Sequence, residues 1–73
     1  MDTLKQAREK RGIKQMAVAD AIGVTRQTYA KYEENQLAMT VKQAVDACHF
    51  IGCDINEIFF GSEVSETNAG AVV

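Results

Sequence analysis

The sequence contains no proline and no tryptophan, one histidine and two cysteines, and no apolar run near the ~18 residues of a membrane-spanning helix. Each shortage excludes something. Without proline nothing interrupts a helix interior, and a mix rich in Ala, Gln, Lys, Glu and Val favours helices joined by tight turns over a sheet. Cys48 and Cys53 lie five residues apart, too close to staple a fold, and are expected to be reduced, small packing side chains. With His49 they supply three ligands where zinc takes four, so neither a metal site nor a cofactor is expected. A single histidine, with no Ser/His/Asp or Cys/His set on separable elements and no phosphate-cradling glycine loop, argues against an enzyme. The N-terminus has no signal-peptide pattern, which points to a cytoplasmic protein with no membrane association.

What is present fits one small globular unit. Seventy-three residues leave room for a single core. The net charge of −2 hides an uneven distribution: residues 1 to 32 carry seven basic against three acidic side chains, net +4, and residues 33 to 73 carry one against seven, net −6. A basic front half suits a polyanion, and an acidic rear would keep that polyanion off the wrong face; a chance distribution on a solvated surface is the plainer alternative.

Apolar periodicity and cap signals mark five helices between residues 3 and 60, an all-α architecture. Asp2 or Thr3 can cap the first, over residues 3 to 11, with Leu4, Ala7 and Arg8 on one face before Gly12. The second, residues 15 to 22, turns Val18, Ala19 and Ile22 inward and ends at Gly23. Thr25 can cap the third, residues 26 to 33, which turns Tyr29 and Tyr32 inward. In the following loop Leu37, Ala38 and Met39 are expected to tuck under the domain. Thr40 opens a fourth helix with an inward stripe of Val41, Ala44, Val45, Cys48 and Ile51, and an Asp54/Glu57 capping box opens a short last helix over 55 to 60. Residues 1 to 61 therefore form the domain. Residues 62 to 73 contain few large apolar residues and read as a loose tail; its terminal Ala-Val-Val also suits a protease-recognition end or an added strand.

Residues 15 to 32, QMAVADAIGVTRQTYAKY, resemble the Cro and phage-repressor type of helix-turn-helix, often called Xre-like, and the resemblance extends over residues 3 to 60. With Gln15 as the first motif position, the small residue at the fifth is Ala19 and the glycine at the ninth is Gly23. The apolar positions are Val18, Ile22, Val24, Tyr29 and Tyr32. Ala19 lets the two helices touch, Gly23 makes the turn, and the apolar set packs the pair onto the core. The resemblance implies a compact five-helix lambda-repressor-like fold. Two departures stand out: Tyr29 replaces a branched aliphatic, and Gln36, Leu37 and Ala38 stand where relatives carry basic residues and a proline. A phosphate contact from that loop must then come from backbone amides or a polar side chain.

A helix in the major groove presents its first turn and a half to base edges, so the candidate base contacts are Arg26, Gln27, Thr28 and Lys31. Arginine can donate two bonds to guanine, glutamine can pair in both senses with adenine, and the threonine methyl can meet a thymine methyl. Gln15 starts the second helix, whose amides and dipole suit a phosphate. The resemblance implies that Gln15 bonds a phosphate and supports Gln27, while Lys14, Lys10 and Lys42 supply positioning charge; the alternative for each lysine is a solvated cation. Arg8 and Glu33 each sit on an otherwise apolar face, and relatives carry the same pair, so a partly buried ion pair is expected. Tyr29 and Tyr32 could stack on bases, but their spacing and placement opposite the polar row favour core packing. Phe50, Phe59 and Phe60 exceed what a core this size needs, which suits a homodimer on a palindromic operator of double-stranded DNA. The function expected is sequence-specific transcriptional regulation, as a small dimeric phage- or prophage-type repressor or a small activator. The alternative is an antitoxin or protein-interaction module of the same fold, with a protein partner.

Overall fold

The computed structural model describes residues 3–60, except for the side chain of Phe60. The expectations for Asp2, the domain edge at residue 61 and the tail at 62–73 lie outside these residues, as does any exposure of Phe60. Four α-helices follow one another: α1 Leu4–Lys10, α2 Gln15–Ile22, α3 Arg26–Glu34 and α4 Val41–Ile51. A 3₁₀ turn, Gln36–Ala38, joins α3 to α4, and a π-type turn, Asn56–Phe60, closes the order. Among the described residues there is no strand, so the architecture is all-α.

Side chains that accept from orphan amides start α1, α3 and α4. Thr3 Oγ1 accepts from Gln6 N at 3.1 Å while Gln6 Oε1 accepts from Thr3 N at 2.8 Å. Thr40 and Gln43 repeat this capping box at α4, at 3.1 and 3.0 Å. The box expected at Asp54 and Glu57 takes another form, because Asp54 Oδ1 curls onto Asn56 N at 2.9 Å and starts an Asx turn. α2 packs on α3 and α4. The core gathers Leu4, Ala7, Val18, Ala19, Tyr29, Met39, Ala47, Cys48, Ile51 and Ile58.

Two parts of the expected core are corrected. On α4 the buried stripe is Ala44, Ala47, Cys48 and Ile51, while Val41 and Val45 are 79% and 46% exposed. At about 3.6 residues per turn the four buried positions centre on one line, and the two valines fall well to one side of it. α2 packs against α4, and the alanines of the buried stripe leave room for close approach. In the linking turn Met39 is buried, but Leu37 is 83% exposed and Ala38 is exposed. A 3₁₀ turn repeats every three residues, so Gln36 and Met39 share the inward side and Leu37 is thrown outward. Gln36 uses that place: its Oε1 accepts from Leu4 N at 2.5 Å, and its Nε2 donates to Ile58 O at 3.3 Å. An amide at the start of α1 is thereby satisfied from 32 residues away.

Candidate nucleic-acid interface

The corner between α2 and α3 is built by backbone geometry. Gly23 has φ of 77°, and beyond it Val24 N donates to Ala19 O at 3.0 Å, closing the helix end. No atom lies within 4 Å of where a Gly23 Cβ would stand, so the left-handed conformation alone calls for glycine. Thr25 then caps α3, its Oγ1 accepting from Thr28 N at 3.1 Å.

Helix α3 separates its faces as its spacing predicts. Tyr29 is fully buried and Tyr32 half-buried, both packed in the core, while Arg26, Gln27 and Lys31 are exposed. Gln27 and Lys31 lie opposite Tyr29 around the helix axis, and Arg26 and Thr28 flank them. Thr28 is half-buried and its Oγ1 accepts from the Thr25 hydroxyl at 3.0 Å, so what it offers outward is chiefly its methyl group.

Behind this row lies a connected polar network. Arg8 Nε donates to Glu33 Oε2 at 2.6 Å and its Nη2 to Glu33 Oε1 at 3.2 Å, the paired bonds of an arginine fork on a carboxylate. The side chains are 10% and 3% exposed, and Arg8 Nη1 also donates to Ile13 O at 2.7 Å. Both Glu33 oxygens therefore accept hydrogen bonds. Burial pushes its carboxyl upward, but the Arg8 hydrogen bonds, with smaller contributions from the Tyr29 hydroxyl, the Gln15 amide and the Arg8 charge, outweigh burial and hold it below the usual carboxylate range. The Tyr29 hydroxyl is buried beside Glu33 without reaching hydrogen-bonding geometry, and burial, then the neighbouring carboxylate, raises its pKa.

Gln15 joins this network rather than Gln27. Its Nε2 donates to Glu33 Oε1 at 3.0 Å and its Oε1 accepts from Arg26 Nη1 at 3.2 Å. The expected Gln27 support is thus replaced by Arg26, because Arg26 and not Gln27 lies on the flank of α3 nearer Glu33. α2 starts without a side-chain cap, which leaves outward amides of its first turn to an external acceptor.

The lysines are dispersed. Lys14 is exposed at the start of α2, and Lys10 is exposed in the last turn of α1. Lys42 Nζ bonds Asp46 Oδ2 at 2.8 Å along α4, an exposed i,i+4 pair. Arg11, unassigned from sequence, ties together the ends of α1 and α4, its Nη1 donating to Ala7 O at 3.1 Å and its Nη2 to Gly52 O at 3.0 Å. A cation just past a helix end is the one signal that could have suggested it. Two of the seven front-half cations, Arg8 and Arg11, are therefore committed to the fold.

Cys48 is buried and Cys53 half-buried; burial, then Cys53, pushes the Cys48 thiol up to about 12, which keeps it protonated. Among the described residues no helix is long and apolar enough to cross a membrane, and no group of three or more metal-ligating side chains is assembled. A family model described as helix-turn-helix matches residues 4–58. No curated protein and no solved structure gives a significant match.

Proposed function

Since the chain belongs to the helix-turn-helix family of Cro/Xre type, whose members are DNA-binding transcriptional regulators, we propose that it reads a specific operator through the exposed row on α3. The observation that carries this reading is the row itself: Arg26, Gln27 and Lys31 stand exposed on a capped helix whose other side is anchored by buried Tyr29. In this reading Arg26, Gln27, Thr28 and Lys31 meet base edges, Thr28 through its methyl. Gln15, Lys14, Lys10 and Lys42 contact phosphates, and the second hydrogen of the Gln15 amide is the one directed there.

The protein acts as a small non-enzymatic repressor of phage or prophage type, a homodimer on a palindromic site. Exposed Leu37, Val41, Val45 and Phe50 support self-association, which sedimentation of the purified protein tests. The decisive experiment is selection of bound sequences from a random DNA pool, repeated with Gln27→Ala and Lys14→Ala. The first is expected to relax the motif at one position; the second is expected to weaken binding uniformly and lower the salt slope by about one. Failure of the parent protein to enrich any motif overturns the reading.

A further inference from the structure

A line of side chains runs from the buried ion pair to the reading row: Arg8 donates to Glu33, Gln15 donates to Glu33, and Arg26 donates to Gln15. Each link has a direction. An ionised carboxylate only accepts, so Glu33 can hold the Gln15 amide only by its Nε2 end. The other end of the amide, Oε1, then faces outward and only accepts, which selects a donor at residue 26.

We infer that Glu33 is a positioning residue for DNA reading: through the amide of Gln15 it holds the exposed guanidinium of Arg26 in one orientation. The role rests on the proposed DNA reading, although the holding itself is a property of the protein alone. Gln15 engages Nη1 of Arg26. That bond leaves the edge carrying Nε and Nη2 free of Gln15, and its two parallel donors match guanine O6 and N7. A long exposed arginine ordinarily loses rotamer freedom on binding; one already tethered loses less. Glu33 is a suitable anchor because two bonds from Arg8 immobilise it and only 3% of its side chain is exposed.

Three measurements test this. The double substitution Arg8→Met with Glu33→Leu removes both buried charges together and so strands neither. Gln15→Met cuts the same line farther out and leaves the ion pair in place. In both, the Arg26 Nε–H signal of the protein without DNA is expected to change from ordered to freely mobile by ¹⁵N relaxation. Pool selection is expected to show a loss of roughly fivefold or more in preference at the single base pair under Arg26, with the preferences under Gln27 and Lys31 kept. Combining all three substitutions is expected to add nothing further at that base pair. Third, in the unsubstituted protein, the Gln15 Nε2 and Arg26 Nε resonances are expected to shift together with the titration of the Glu33 carboxyl, which needs no variant to fold. A folded double variant with Arg26 as ordered as in the parent overturns the inference, as do additive losses or resonances that ignore the titration. A parent that selects no motif overturns the proposed function instead, and the Arg26 signal still decides the tether.

Discussion

Around the α2–α3 corner a set of polar side chains is restrained by directional bonds, whereas the surface around the Gln36–Ala38 turn and the start of α4 carries exposed apolar side chains. Arg26 is tethered to Gln15, Gln15 to Glu33, and Thr28 to Thr25. At the other surface Leu37 and Val41 are 83% and 79% exposed beside a groove of about 220 Å³, lined by Gln36, Met39, Thr40, Ala44, Ile55 and Phe59 among others. The first region resists change because removing one partner strands another. The second tolerates change wherever a side chain already stands in water.

The largest break in that contrast is Arg8→Met, which leaves Glu33 buried without its cation and is expected to cost roughly 3 to 5 kcal/mol, read as a fall in Tm by circular dichroism. Next comes Met39→Ala, expected to cost about 2 kcal/mol in urea unfolding, near the low end for a core methionine because a turn close to the surface can relax. Gly23→Ala is expected to cost about 1 to 2 kcal/mol from its φ of 77° alone, since its Cβ meets nothing. Acid gives a smaller and graded effect. The folded Glu33 carboxyl titrates below its unfolded value, so its contribution is fully present above the unfolded pKa and is lost as pH falls through the folded pKa. An acid unfolding series on Arg8→Met plus Glu33→Leu is expected to lack that component. Smallest is Leu37→Gln, expected to change stability by less than about 0.5 kcal/mol; a loss comparable to that of Met39→Ala would erase the contrast.

The legibility of the sequence follows the same division. The helix-turn-helix half is readable because each placement there is fixed within one or two turns: Val18, Ala19 and Tyr29 take their buried positions, and Gly23 its turn, from local spacing. The meeting of Arg8 with Glu33 was readable because a charge on an apolar face demands a partner. On α4 the three- and four-residue recurrence finds Ala44, Cys48 and Ile51 but passes over Ala47, because hydrophobicity ranks Val41 and Val45 above a small side chain that the fold buries. Gln36 and Arg11 stayed hidden because their partners are backbone atoms of distant segments, and backbone atoms leave no mark in a sequence.

The reach of Gln36 has a consequence for how the domain opens. The first amides of a helix ordinarily exchange with solvent within its fraying turn, but the Leu4 amide is held by a side chain that also holds the last helical turn at Ile58. Opening the start of α1 therefore requires release of the Gln36 clasp, and both ends of the described chain belong to one cooperative unit. Deuterium uptake at Leu4 is expected to report on that unit, with a protection factor closer to those of the core than to those of a frayed end.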